Sequence, residues 1–522
     1  MNHKVVITNL AALKKKYGVG GLKKINTAIK ALIAADKTRG FQTRLIALDS
    51  ATAMKKVKGR QVADANDPEQ NKAAIDAIYR ALVPDYLMLL GAIDVIPHQD
   101  LINPVFSPGN DDDQYAYGDL PYACEAPYSQ KVKDFVGPTR VVGRLPDLTG
   151  GTDPAYLLGL LATSAAWTSR PAADYSADFA ISAEVWKKST ALSVQRLFGP
   201  SGTVQLAPPG GPAWAASLLA KRPHFINCHG ASADPQFYGQ KGSAYPVSHQ
   251  AARLAGKITE GTVAAVECCY GAELYDPLLA GGQAGICSTY LAEKACGYFG
   301  SSTIAYGPAV GNGSADLICQ YFLRRAIAGS SLGRAALEAR LEFAGGAAEL
   351  DPVDLKTLAQ FSLLGDPSIH PVAASTPHAV VAAPGTKGLA AVLANAATAR
   401  TDRRRQLLSR GLRIGATQPC AVKLAKAKPA GPLMAALKKL AAQLDIPDPD
   451  FLAFKIETPA PPKGAKPLSI KAGPKAMMAA PDGFHVVSGS RTVAALKTPQ
   501  IIALVAKEVG GKIVSYREMH CR

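Results

Sequence analysis

Short apolar runs alternate with amphipathic stretches along most of this chain. The apolar runs are three to five residues long with turn residues on both sides, which is typical of strands buried on both faces. The predicted strands are 45–48, 86–90, 180–182, 224–227, 263–266 and 303–305. The predicted helices are 71–81, 154–166, 190–198, 214–221 and 315–328. This alternation predicts an α/β fold with a mostly parallel sheet flanked by helices.

Two of the predicted strands run directly into residues that could form a reactive pair. Residues 225–230 read Phe-Ile-Asn-Cys-His-Gly, and residues 263–272 read Val-Ala-Ala-Val-Glu-Cys-Cys-Tyr-Gly-Ala. The carboxyl ends of neighbouring parallel strands meet at one edge of a sheet, so a histidine base and a thiol nucleophile can meet there. The pattern is typical of a cysteine-histidine hydrolase. Two buried strand ends with small residues would give the same pattern.

Further stretches follow in an order that resembles a known family. These are 85–91, 96–97, 113–118, 140–146, 181–184 and 364–369. Together with the His-Gly and Cys segments they resemble the caspase-like cysteine peptidases, and the gingipain-type family most closely, over about residues 80–372. The resemblance implies a caspase/gingipain-like sheet in two subdomains, and hydrolysis of peptide bonds through an acyl-enzyme.

The resemblance also implies roles for individual residues. Cys269 falls at the nucleophile's position, although Cys268 fits a looser spacing known from legumain-like members. His229 is the expected base, because it alone among the histidines combines a strand, a histidine and a glycine. Glu184, one strand away, is expected to orient the imidazole. The backbone N–H groups of Gly230 and Cys269 are expected to hold the oxyanion.

The expected substrate pocket departs from the Arg-specific pattern. Residues 185–189 read Val-Trp-Lys-Lys-Ser, without the aspartate that Arg-specific gingipains place there. Trp186, Lys187 and Lys188 are therefore the predicted substrate-binding residues, and they favour a hydrophobic or acidic P1 residue (the residue before the cleaved bond) over Arg or Lys. The acidic loop 110–113 is an alternative pocket wall or a structural calcium site. It could equally be a surface loop without either role.

Composition divides the chain into parts. We expect an N-terminal α/β subdomain at 1–165, a caspase-like catalytic subdomain at 166–375, a linker at 376–415 and a basic α+β domain at 416–522. Residues 401–522 hold 21 Lys and Arg against 8 Asp and Glu, most of the chain's net charge of +17. This asymmetry predicts either contact with an acidic regulatory partner or an acidic face of the same chain, or a solvated basic surface. Nucleic acid ranks last, because no aromatic residues are interleaved.

The remaining features predict the compartment and the class of protein. Nine scattered cysteines, an odd number, fit free thiols in a reducing compartment. The first residues lack the pattern of a secretory signal, so a cytoplasmic location is expected, without a membrane span. No cofactor or metal is expected in the chemistry. The leading hypothesis is an intracellular cysteine endopeptidase acting on partner proteins, and the alternative is a catalytically silent scaffold with the same fold.

Overall fold

The computed structural model describes residues 2–373, 386–424, 429, 431–459 and 482–522, with the backbone alone for 386–400. In those residues the strands are β1 Asn2–Thr8, β2 Phe41–Ala47, β3 Tyr86–Leu90, β4 Gln99–Ile102, β5 Tyr115–Gly118, β6 Val142–Leu145, β7 Phe179–Ala183, β8 Val204–Ala207, β9 Pro223–Asn227, β10 Gln236–Tyr238, β11 Val247–Gln250, β12 Val263–Val266, β13 Gly297–Ser301, β14 Tyr306–Gly307, β15 Phe361–Leu364, β16 Cys420–Lys423, β17 Asp450–Glu457, β18 Gly483–Arg491, β19 Gln500–Val509 and β20 Lys512–Cys521.

The helices of the same residues are α1 Leu10–Thr38, α2 Ala51–Lys56, α3 Pro68–Leu82, α4 Ala155–Ala166, α5 Lys187–Phe198, α6 Ala216–Leu219, α7 Ile286–Ala292, α8 Ser314–Ile327, α9 Leu332–Gly346, α10 Pro352–Gln360, α11 Thr386–Thr417 and α12 Gly431–Gln443. No helix in these ranges is both long and apolar enough to cross a membrane.

Ten strands form the central sheet, in the order β2-β1-β3-β6-β15-β13-β12-β9-β7-β8. The first five strands are parallel to one another and so are the last five, while β13 and β15 meet antiparallel in the middle. Hydrophobic clusters pack against the sheet, and successive residues of β12 contribute alternately to one cluster and to the other. The mostly parallel sheet flanked by helices that the sequence predicts is confirmed.

The C-terminal region forms a second, antiparallel sheet in the order β14-β20-β19-β18-β17-β16. Its first strand, β14, comes from within residues 166–375, which also supply strands of the central sheet. Buried residues such as Phe484, Val505 and Met519 share one hydrophobic cluster with Phe299 and Ile318. The described residues of 416–522 therefore share a continuous hydrophobic core with the central sheet.

The described part of residues 376–415, which are predicted as a linker, belongs to a long helix. Helix α11 covers Thr386–Thr417 and packs against α9, with Ile414 buried. Gly411 lies so close to Pro138 that a Cβ there would overlap a carbonyl oxygen. The basic residues that follow also meet acidic ones of the same chain: Arg517 pairs with Asp351, and Lys507 lies 2.9 Å from Glu349.

Candidate active site

The register of three adjacent strands brings the predicted site residues to one edge of the sheet. Ile181 of β7 lies opposite Ile226 of β9, which lies opposite Val266 of β12. The predicted site residues each come three positions after one of these: Glu184, His229 and Cys269. Parallel strands in this register end at the same level, so the topology places all three at the carboxyl edge.

The two neighbouring cysteines belong to opposite sides of the sheet. Cys268 packs in the hydrophobic cluster that holds Cys228, while Cys269 belongs to the other cluster. The Cys269 thiol donates to the Ala305 carbonyl at 3.4 Å and accepts from the Ala305 N–H at 3.2 Å. Burial and the neighbouring Cys521 thiol raise the pKa of the Cys269 thiol well above its usual range. The thiol is therefore neutral in this closed arrangement.

His229 is held by Gln240. The imidazole Nε2 lies 2.8 Å from Gln240 Oε1, and the Gln240 amide nitrogen donates to Gly242 and to Tyr245. These two donations orient the amide, so its oxygen accepts from Nε2–H and Nδ1 carries the free lone pair. Nδ1 is buried without a hydrogen-bond partner. Burial lowers the pKa of His229 to about 3, so the ring is a neutral base.

Glu184 is not the residue that orients the imidazole in this structure. It starts a short 3₁₀ turn, Glu184–Trp186, and its carboxylate pairs with Lys187 at 2.7 Å. The Glu184 side chain is 24% exposed. Lys187 is 51% exposed and Lys188 is also exposed, so neither lysine is buried beside His229.

Trp186, in contrast, is buried beside the imidazole. Its ring centroid lies 4.3 Å from that of His229. The same ring lies 4.3 Å from the guanidinium carbon of Arg522. The Trp186 ring therefore contacts both the His229 imidazole and the Arg522 guanidinium.

The end of β20 lies across this site. Cys521 and His520 pair antiparallel with Tyr306 and Gly307. Arg522 continues the strand, and its N–H donates to the Ala305 carbonyl at 2.9 Å. The Arg522 carbonyl oxygen accepts from the N–H of Cys269 at 2.9 Å and from that of Gly230 at 3.2 Å. A Cβ at Gly230 would overlap the Cys269 carbonyl, so this close approach requires glycine.

The Arg522 side chain fills a pocket and is fully buried. Its Nη2 donates to the Pro308 carbonyl at 2.8 Å and lies 3.2 Å from both carboxylate oxygens of Asp316. Ser189, which also bonds to Asp316, lies 3.4 Å from the same nitrogen. A Cβ at Gly307 would overlap the guanidinium, so the pocket needs glycine there.

A second acid, Glu267, lines the pocket. Its carboxylate is buried and 3.9 Å from Arg522 Nε, and neither of its oxygens has a hydrogen-bond partner. Burial and the nearby Asp316 charge raise the pKa of Glu267 well above its usual range, against the pull of Arg522. The pocket thus combines one aromatic face with two acids and suits a cation.

The acidic loop 110–113 does not line this pocket, and two of its carboxylates are already paired with a buried lysine. Asp111 and Asp113 pair with the buried Lys356, at 2.5 and 3.2 Å. Asp113 also accepts from the Tyr270 hydroxyl and from the Ile304 N–H, both at 2.7 Å. Over the described residues no group of three or more His, Cys, Asp or Glu is placed to hold a metal ion.

Sequence reasoning missed Gln240, Asp316, Glu267 and Arg522 as site residues. Glu267 stands two residues before Cys269 and could have been noticed, since charged residues are rare at the end of a buried strand. Gln240 reaches His229 through a hairpin that pairs His229 with Tyr238, and no local pattern signals this pairing. Asp316 and Arg522 come from distant parts of the chain.

Comparisons with known proteins complete the description of the site. No protein-family model and no curated protein sequence matches the chain. Among solved structures it is similar to the Arg-specific cysteine proteinase gingipain R, with 10% identity, a TM-score of 0.48 and coverage of 99% of this chain and 97% of that one. The complex of Porphyromonas gingivalis RgpB pro- and mature domains matches with 11% identity, 99% coverage of both chains and a TM-score of 0.46.

The Saccharomyces cerevisiae separase-securin complex matches over 45% of this chain and 14% of that one, with 11% identity and a TM-score of 0.26. The predicted resemblance to gingipain-type cysteine peptidases is thus also found among solved structures. Identities of 10–11% do not carry residue roles over, so the chemistry is inferred from the site's own contacts.

Proposed function

We propose that this chain is a cysteine endopeptidase that cleaves peptide bonds after arginine, with Cys269 as nucleophile and His229 as base. The observation that carries the proposal is the position of Arg522, which occupies the site as the residue before a cleaved bond would. Its carbonyl oxygen accepts from two backbone N–H groups, and its guanidinium lies between Trp186 and Asp316.

The reaction follows from this arrangement. The Cys269 sulfur attacks the substrate carbonyl carbon, and the N–H groups of Gly230 and Cys269 stabilise the oxyanion that forms. His229 takes the thiol proton through Nδ1 and passes it to the leaving amine, while Gln240 keeps the imidazole in the required tautomer. Water then hydrolyses the thioester and releases the acid product.

The pocket chemistry replaces the expectation of a hydrophobic or acidic P1 residue. Lys187 and Lys188 face solvent, whereas Asp316 and Glu267 come from α8 and from the residue after β12. A planar guanidinium can stack on Trp186 while it donates to a carboxylate, which an ammonium group does less well. Arginine is therefore the proposed P1 residue, with lysine second.

The setting of the enzyme is also part of the proposal. All nine cysteines lie in described residues and are free thiols, which supports a reducing compartment such as the cytoplasm. The substrates are peptides or proteins that present an extended segment. An acidic regulatory partner for residues 401–522 remains a proposal, supported by the excess of positive charge in that region.

A covalent peptidyl probe tests the nucleophile and the P1 residue together. A peptidyl acyloxymethyl ketone with P1 arginine should add once to the parent chain and to the Arg522→Ala variant, as measured by intact mass. Cys269→Ala should abolish the adduct, while Cys268→Ala, the matched control, should retain it. An adduct that persists in Cys269→Ala contradicts the nucleophile, and equal labelling by a P1-leucine probe contradicts the pocket. A silent scaffold would give no adduct in any variant.

The imidazole's partner is tested by a matched pair of substitutions. Gln240→Ala should lower kcat for a P1-arginine peptide by about tenfold, since an orienting group contributes less than the groups that react. Glu184→Ala should leave kcat nearly unchanged, because Glu184 pairs with Lys187 at the surface. The reverse order of effects would restore Glu184 to the role expected from the sequence.

A further inference from the structure

The end of β20 occupies the active-site cleft. Cys269 is fully buried and His229 is 1% exposed, so no substrate can reach them while Arg522 is in place. We propose that the end of β20 is a built-in inhibitor, which keeps the cleft of the endopeptidase filled until residues 520–522 leave it. This inference rests on the proposed function.

The occupant uses each contact that an extended substrate would need. Its main chain pairs with the edge strand β14, as a peptide adds to a sheet edge. Its carbonyl oxygen accepts from both N–H groups of the proposed oxyanion hole, and its guanidinium donates to the Asp316 carboxylate. A substrate therefore cannot bind beside the occupant and has to replace it.

The rest of β20 is anchored and delivers the arginine at high local concentration. Met519 is fully buried, Arg517 pairs with Asp351 and Asp354, and β20 pairs with β19 along almost its whole length. A group tethered near its site has an effective concentration in the millimolar range. If the untethered segment bound the cleft with a Kd of about 0.1 mM, tethering would keep about nine clefts in ten filled.

Release has to break contacts on both sides of the end of β20. On one side residues 520–521 pair with β14. On the other side His520 pairs with Ile502 of β19, and the buried Cys521 thiol accepts from the Ile501 N–H at 3.0 Å. Met519 and the residues before it can stay in place while the end of the strand leaves. The vacated edge, Tyr306–Gly307, is then open to a substrate strand.

Substitution of the occupant tests the proposal directly. Arg522→Ala should raise kcat/KM for a P1-arginine peptide by about tenfold or more, and Arg522→Lys should give a smaller rise. Arg405→Ala is the matched control, because Arg405 is 74% exposed in the helix α11 and, within the described part of the chain, forms an ion pair with Asp402 alone. A thermal transition measured for each variant shows that it folds.

A second experiment tests whether a separate peptide with the sequence of the occupant inhibits the opened enzyme. The five-residue peptide with the sequence of residues 518–522 should inhibit Arg522→Ala competitively, and the same peptide with alanine for its last residue should not. Equal kcat/KM in the parent, Arg522→Ala and Arg522→Lys, with all activity lost in Cys269→Ala, would overturn the inhibitor while the peptidase stands. Failure of the trans peptide to inhibit an active Arg522→Ala variant would also overturn it. Absence of activity in every variant would instead contradict the proposed function.

Discussion

Two pairs of acids lie close to the candidate active site, and their partners differ. Asp111 and Asp113 pair with Lys356 from the middle of α10. Each of their four carboxylate oxygens also accepts a hydrogen bond from a residue of the described structure outside the end of β20. Glu267 has no hydrogen-bond donor, and Asp316 meets its cation only through Arg522 at the end of β20. A satisfied pair stabilises a fold, whereas a pair that lacks its own cation is suited to receive one.

The largest expected effect is on the satisfied pair. Lys356→Met should lower the free energy of unfolding by about 3 to 5 kcal/mol, because it leaves two buried carboxylates without their cation. Urea denaturation measures the loss. Arg522→Ala should cost clearly less, since water can enter the emptied cleft. Equal losses in the two variants would mean that both pairs are structural.

Next in size is the effect of the pocket acid on specificity. In the Arg522→Ala background, Asp316→Asn should lower kcat/KM for a P1-arginine peptide about thirtyfold or more. This factor corresponds to a loss of about 2 kcal/mol in transition-state stabilisation. Hydrolysis of a P1-leucine peptide should change little. Glu267→Gln serves as the control and should cost less, because burial already favours the neutral acid. A larger loss in Glu267→Gln would exchange the roles of the two acids.

The smallest expected effect is on the titration of His229. Its pKa is lowered to about 3, first by burial and further by the charge of Arg522. The unfolded imidazole titrates near 6.5, so this residue's contribution to stability is lost as the pH falls from 6.5 toward 3. In Arg522→Ala the pKa of His229 should rise and the loss should shrink, as followed by NMR of the imidazole carbon. An unchanged pKa would show that the Arg522 charge has no effect on the His229 imidazole.

Local patterns in the sequence predicted the sheet and the reactive edge. Strand 86–90 coincides with β3, and 263–266 coincides with β12, because uninterrupted apolar runs between turns leave little choice. The prediction of a strand at 303–305 was wrong: β13 occupies Gly297–Ser301, where glycines and a serine obscure the apolar signal. The turn between β19 and β20 is also readable in the sequence, since Gly510 and Gly511 both adopt the positive φ that favours glycine.

The details of the site depend on long-range packing, which local patterns do not encode. The level of Glu184 at the strand end was predictable from the register, but the 3₁₀ turn that begins at this residue was not. Asp316 lies 206 residues before the arginine that it contacts. A contact over such a separation is decided by how the two sheets pack, and a single sequence carries no local trace of it.

The placement of Trp186 makes the molecule its own optical reporter. The chain contains three tryptophans. The other two are held elsewhere: the indole of Trp167 bonds to His370, and that of Trp214 bonds to Ser248. Trp186 alone of the three lies between an imidazole and a guanidinium, so its emission depends on whether the pocket is filled. Intrinsic fluorescence can therefore follow opening and closing of the cleft in real time, without a label and without turnover.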